Sequence, residues 1–163
     1  FQEALKGGKT KVLDTRKTVP GFRTLQKYAV RVGGGSNHRM GLFDMVLVKD
    51  NHIAAAGGVL EALEVVKRNN TQNLMVEMEV ETFDQLRALL NKGVDVIMLD
   101  NMSNETMAEA LKLIKESGDK CLVEGSGNMT LERAREIATL GLDFISVGAL
   151  THSVKALDIS MRI

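Results

Sequence analysis

The sequence predicts an α/β fold: a parallel sheet covered by helices and curled into a TIM-like (β/α) barrel that is open or incomplete. Three observations carry this expectation. Short runs rich in Val, Ile and Leu alternate with segments of helical period. The runs are largely apolar, which is the pattern of strands buried on both faces of a parallel sheet. Polar residues gather just after them, at Asp14 to Lys17, Lys49 to His52, Asp100-Asn101, Glu124 to Gly127 and Gly148. In barrels of this kind the C-terminal strand ends carry the active site. About six units without a long-loop reversal favour a barrel over a doubly wound sheet. Six strands fall short of the eight that close such a barrel, so it is expected to be open or to lack a strand.

The elements follow in order. The opening FQEALKGGKTKV reads as a helix and loop feeding a strand at Lys11–Leu13. Further strands are expected at Met45–Lys49, Leu74–Val80, Val96–Leu99, Lys120–Glu124 and Asp143–Val147, with 155–163 as a C-terminal strand segment. Helices are expected near Phe22–Val32, Gly58–Asn69, Phe83–Lys92, Glu105–Ser117 and Leu131–Leu140. The fourth helix is the clearest. Ser103 or Asn104 caps it, Met107, Ala110, Leu111 and Ile114 form its apolar stripe, and Gly118 stops it. The fifth repeats the design with Thr130 as cap and Gly141 as stop. The start shows no signal peptide and no initiator Met, so the chain is expected to be cut from a longer protein.

With 163 residues, 44% hydrophobic and 26% charged, the chain can bury one core, and 1–163 reads as a single domain. No run approaches the ~20 apolar residues of a membrane span, so no membrane partner is expected. One cysteine, Cys121, excludes an internal disulfide framework and points to a reducing compartment, hence a cytoplasmic location. Its setting, KCLVE, is that of a buried strand residue rather than a nucleophile. Lys plus Arg and Asp plus Glu number 21 each, which excludes a broad basic face for nucleic acid. Aromatics are 4% with no Trp, so single strands find no stacking platform.

Any affinity for anions must therefore come from local clustering. Arg16, Lys17, His38, Arg39 and Lys49 all fall at strand ends or in glycine-rich loops. Singly they read as solvated loop charges. Converging on one rim, they repel one another unless a polyanion offsets them, and the guanidinium fork suits planar carboxylate or phosphate. His38 can donate to a carboxylate or tune a neighbour. Strand alternation puts Glu77, Glu79 and Glu81 on one face, with Met75, while Val76, Met78 and Val80 pack toward helices. Asp100 ends the next strand, which makes Glu79 and Asp100 lateral neighbours and candidate ligands for Mg²⁺. EGSGNMT, Glu124 to Thr130, joins a strand to a helix and offers a phosphate seat, with SVGAL as a second small loop beside it. The sum is a cationic corner, an acidic metal-binding wall and a phosphate pocket, fit for a small anionic acid together with a phosphorylated sugar.

These residues resemble a known family. LDTRKTVPGFRTLQKYAVRVGGGSNHRMGLFDMVLVKDNHIAAAGG, followed by VEMEVE, IMLDNM and SVGALTHS with ALDISMRI, is similar to the barrel domain of quinolinate phosphoribosyltransferase. The resemblance runs from about Lys9 to the C-terminus. It implies transfer of phosphoribose from phosphoribosyl pyrophosphate to quinolinate, with loss of CO₂ and pyrophosphate, giving nicotinate mononucleotide for NAD synthesis. It implies that Arg16, His38, Arg39 and Lys49 grip the dicarboxylate, that Lys17 lies near the pyrophosphate, and that Glu79 and Asp100 hold ribose hydroxyls and Mg²⁺. By the same likeness Lys17, Lys49, Glu79 and Asp100 are the catalytic set. Ser126, Gly127, Asn128 and Gly148 match the 5′-phosphate loops, with His152 near them.

The chain departs from the family's pattern in two ways. The family usually has EASGG where this chain has EGSGN, so Asn128 replaces a glycine, although asparagine tolerates the unusual backbone angles of such a turn. The resemblance also implies an N-terminal sandwich domain, absent here, which contributes an arginine to the quinolinate pocket of the neighbouring subunit in a dimer. Three other readings stand beside the main one. Lys49 could be the nucleophile of a Schiff-base aldolase. The chain could be a paralogous phosphoribosyltransferase acting on another acid. It could also be a barrel fragment that binds phosphate without turnover.

Overall fold

A computed structural model describes residues 1–162. A 3₁₀ turn at Gln2–Leu5 leads into six strands, each followed by helix: β1 (Lys11–Leu13), α1 (Arg23–Val32), β2 (Val46–Val48), α2 (Asp50–Ala56), α3 (Val59–Asn69), β3 (Val76–Val80), α4 (Phe83–Leu89), β4 (Val96–Asp100), α5 (Asn104–Ser117), β5 (Leu122–Ser126), α6 (Leu131–Ile137), β6 (Phe144–Ser146) and α7 (Ala149–His152). Every strand pair is parallel.

The spatial order is β1-β6-β5-β4-β3-β2. From β6 back to β2 the order is sequential, and β1 joins at the β6 end. That is the circular order of a barrel and not the reversing order of a doubly wound sheet. β1 and β2, consecutive in the chain, are the two free edges, so the sheet is curled but not closed by strands. The segment between α1 and β2 spans this gap. Ser36 bridges Leu13 in parallel fashion, its N–H donating to Val12 at 2.7 Å while its carbonyl accepts from Asp14. Farther along, the Arg39 guanidinium donates to the Met45 carbonyl. The open barrel expected from six strands is the one found, with an irregular stave in place of a seventh.

Alternating apolar residues explain the core. Met78 and Val80 of β3, Ile97 and Leu99 of β4, Val123 of β5 and Ile145 of β6 face the helices and meet Leu86 and Leu89 of α4, Met107, Ala110 and Ile114 of α5, and Ala134 and Ile137 of α6. Helix starts follow local chemistry. Thr82, Ser103 and Thr130 each accept the backbone N–H three residues on. Gly118 stops α5 in the left-handed conformation at φ 76.

Three expectations are corrected. β3 begins at Val76 and ends at Val80, so Met75 and Glu81 lie outside the strand and face solvent. The strand expected over 155–163 does not form over the described residues 155–162. Neither edge of the sheet pairs with that segment, and Leu157, Ile159 and Met161 are left exposed. Ile163 lies outside the described residues. Two short helices, α2 and α7, were not expected.

Candidate active site

Two cavities open side by side beyond the carboxyl ends of the strands. One, of about 320 Å³, is walled by Arg16, Lys17, His38, Arg39, Leu47, Lys49, Met98 and the side chains of Thr15, Ser126 and Ser146. The other, of about 450 Å³, is walled by Asp100, Asn101, Gly127, Asn128, Met129, Thr130, Gly148, Ala149 and His152. Thr15, Lys17, Lys49, Ser126 and Ser146 border both. Every site residue expected from sequence lines one cavity or the other except Glu79, which lies buried beneath Lys49 with Oε2 at 2.8 Å from its Nζ.

The cations converge because β1 and the irregular stave end at the same mouth. The Arg16 carbonyl is clamped by Arg23 Nη2 at 3.3 Å and by the Thr18 N–H at 3.0 Å, while Thr151 Oγ1 donates to the Lys17 carbonyl at 2.8 Å. Burial lowers the pKa of Arg39, and the charge of Arg16 lowers it further. The Arg16 Nε is buried and carries no hydrogen bond. A donor desolvated without a partner, beside a second guanidinium, is a seat for an anionic acceptor.

His38 faces inward. Its Nδ1 accepts the Arg39 backbone N–H at 2.8 Å, so a neutral ring carries its proton on Nε2. That nitrogen lies 2.9 Å from Glu77 Oε2 and 3.7 Å from Glu124 Oε2. Burial holds the ring below its ordinary pKa, against the opposing pull of Glu124. Below it, burial pushes Glu77 up to about 7, and burial followed by repulsion from Glu77 pushes Glu124 up to about 8. Candidate ligand atoms of the three side chains lie within 4.8 Å of one another. With the proton on Nε2, however, the ring offers no lone pair to a metal, and the trio is a proton-bearing network instead. Sequence reading placed Glu77 on the correct face but gave neither buried acid a role.

Lys49 is pulled down by burial, but its hydrogen bond to Glu79 and the charges of Glu79, Asp100 and Asp50 outweigh this, and the net shift is upward. A lysine held protonated is a poor Schiff-base nucleophile, so the aldolase reading falls. Cys121 is pushed up to about 12 by burial and then by Asp119, which leaves the thiol inert.

The second cavity is shaped by backbone. Gly127 adopts φ +89 and Asn128 φ +47, so asparagine keeps the left-handed turn. A Cβ on Gly148 would come within 3.0 Å of the His152 ring. Arg133, which sequence reading did not single out, donates to the Gly127 carbonyl at 2.7 Å and to Asn104 Oδ1 at 3.0 Å, and also reaches the Met102 carbonyl. It pins the loop from outside the cavity. The signal available was an arginine at the third position of a helix just after a glycine loop.

Fold and site together define a class: a parallel α/β barrel domain whose strand ends hold a basic pocket joined to a glycine-lined anion pocket. Residues 1–162 match the family described as "Quinolinate phosphoribosyl transferase, C-terminal domain", and the chain belongs to that family. It is 48% identical over 159 residues to nicotinate-nucleotide pyrophosphorylase (carboxylating) of Mycobacterium leprae, an alignment covering 98% of this chain and 56% of that protein. Against quinolinate phosphoribosyltransferase (decarboxylating) 2b of Nicotiana tabacum, a mitochondrial protein, identity is 49% over 170 residues, covering 93% and 48%. The solved structure of NadC from Streptococcus pyogenes superposes with TM-score 0.90 at 46% identity, covering 98% of this chain and 55% of that one. The chain thus spans about half the length of the curated relatives it matches.

Proposed function

We propose that the protein carrying this chain transfers phosphoribose from phosphoribosyl pyrophosphate to quinolinate, releasing pyrophosphate and CO₂ and forming nicotinate mononucleotide for NAD synthesis. The observation that carries this reading is the pair of adjoining cavities, one cationic and one glycine-lined, with Lys17 and Lys49 on their shared border. Arg16, His38, Arg39 and Lys49 take the two carboxylates, with the His38 ring seated against the buried Glu77. Ser126, Gly127, Asn128 and Gly148 receive the 5′-phosphate, with His152 beside them. Attack of the pyridine nitrogen on C1′ joins the contents of the two cavities. Lys17 faces the leaving pyrophosphate, and Glu79 or Asp100 supplies negative charge where the ribosyl centre turns cationic. The resulting pyridinium is an electron sink for the carboxylate that leaves as CO₂.

We infer Mg²⁺ as the cofactor, supported by the donor chemistry of Asp100 in the cavity wall and of Glu79 beneath it, whose Oε2 already faces the Lys49 ammonium. Asp100 and Glu79 offer only hard oxygen donors, and Asn101 occupies one Asp100 oxygen at 2.7 Å, leaving the other open. These two would hold the ion, which when bound supplies positive charge to pyrophosphate. We further infer a homodimer or higher oligomer of the full-length protein, supported by the apolar outer face of α1, where Leu25, Tyr28 and Val32 are exposed. A cytoplasmic location is supported by the free thiol of Cys121; among the described residues no helix is long and apolar enough to cross a membrane.

Calorimetry on the native protein tests the assignment of the acid pocket. Arg39→Ala should weaken quinolinate binding about 10- to 100-fold, the loss of a charged hydrogen bond, and leave phosphoribosyl pyrophosphate affinity within about twofold. Equal weakening of both ligands would refute it.

A further inference from the structure

The stave that carries His38 and Arg39 has no helix or strand of its own. What fixes its middle is a knot of buried polar groups that lies outside both cavities. Asp14, at the end of β1, and Lys27, in the middle of α1, are both fully buried and form an ion pair. The Asp14 carboxylate also accepts the His38 backbone N–H at 2.9 Å and the Asn37 side-chain amide at 2.5 Å. Lys27 Nζ donates in addition to the His38 carbonyl at 2.9 Å, and Asn37 Nδ2 to the Lys27 carbonyl at 2.8 Å. Both backbone polar groups of His38 are therefore held by one buried pair. Asp14 is two residues from Arg16 on the same strand end. The knot thereby sets the distance between the two halves of the cationic corner.

An apolar pair of similar volume would commonly serve folding as well as a buried ion pair. It could not hold the two ends of the His38 peptide unit. We propose that Asp14, Lys27 and Asn37 are positioning residues for the acid-binding corner, aligning Arg39 and His38 with Arg16 for the pyridine dicarboxylate. This rests on the assignment of that corner to quinolinate. Misplacing reacting or binding groups by about 1 Å costs on the order of 100-fold in favourable cases, which sets the scale of effect to look for.

The test is steady-state kinetics on the native protein and on the double variant Asp14→Leu with Lys27→Met, which removes both charges together. The expected result is a cooperative unfolding transition like that of the unaltered protein, a quinolinate KM raised at least about tenfold, and a phosphoribosyl pyrophosphate KM within about twofold. The conservative Lys27→Arg, which keeps a cation able to reach both acceptors, should recover part of the loss. A folded double variant with both KM values unchanged, or with both raised alike, would overturn the proposal. Should the double variant fail to fold, Asn37→Ala decides: a rise confined to the quinolinate KM supports the positioning role, and no change overturns it. If the unaltered protein turns over no quinolinate, the functional assignment itself fails, and that result comes before any variant is compared.

Discussion

Gly127 shows how little freedom a single position in the phosphate loop has. Its φ of +89 lies where an L side chain is strained, and a Cβ there would sit 2.2 Å from Asn101 Oδ1 and 2.8 Å from the Asn101 backbone nitrogen. The side chain of Asn101 can turn away, but its backbone cannot, because Asn101 N–H is bonded to the Ser126 carbonyl at 3.1 Å. Gly127→Ala should therefore cost about 1–2 kcal/mol from the backbone conformation alone, with the clash adding to it. It should also weaken phosphoribosyl pyrophosphate more than quinolinate. Urea unfolding and calorimetry check the two halves, and a variant as stable and as tightly binding as the parent would show that the turn is not needed. Asn128 next door tells the complementary story: it occupies φ +47 without glycine, a left-handed conformation that asparagine adopts more readily than other L residues.

At the scale of elements, the clearest signals in the sequence were those with a local cause. Ser103 and Thr130 cap helices at the positions their side chains dictate, and Thr82, which was not singled out, does the same. For α4 the motif is a full capping box: Thr82 Oγ1 accepts the Gln85 N–H at 3.2 Å and Gln85 Oε1 accepts the Thr82 N–H at 3.2 Å. Thr82→Ala should lower stability by about 1 kcal/mol, a fall of about 2–4 °C in Tm, while Leu86 and Leu89 keep the helix in place. An unchanged Tm would mean that packing alone fixes the start of α4. Elements without a local cause were not legible. α2 and α7, of seven and four residues, are too short to show a period, and Gly57 and Gly58 hide the junction of α2 with α3. The expected C-terminal strand had alternating apolar residues but no partner, and alternation does not supply one. The same division holds in the site. Arg16, Lys17, Arg39 and Lys49 stood out because together they converge on one rim, where their mutual repulsion calls for a polyanion. Lys27 did not, because a lysine in an amphipathic helix reads as a solvated one until the fold buries it against Asp14. Glu81 erred the other way, since period two continues on paper past the point where β3 ends.

The molecule as a whole has a polar heart. Beneath the mouth, Glu77, Glu79 and Glu124 are buried, and the protonation of Glu77 and Glu124 makes global stability depend on pH. Glu124 is the clearest case. Its ordinary value is 4.5, and burial followed by repulsion from Glu77 raises it to about 8 in the folded chain. The unfolded chain gives up this proton above about 4.5, whereas the folded chain keeps it until about 8. Across that window the folded state binds more protons, so its stability is greatest at the acid end and is lost as pH rises. Glu77, pushed up to about 7, acts in the same sense. His38 acts against them: its folded value is depressed below 6.5, so it withdraws stability as pH falls below 6.5. Above 6.5 its contribution is complete and the acids act alone. Thermal unfolding should therefore show Tm falling between pH 6.5 and pH 8, by about 2–4 °C for each kcal/mol withdrawn. Glu124→Gln, which keeps the shape and carries no proton to lose, should flatten that fall. A parent Tm that is level or rising over this interval would mean that the carboxyl pair is already ionised in the folded chain, and that the positive charges above it, Arg39 foremost, outweigh the cost of burying it.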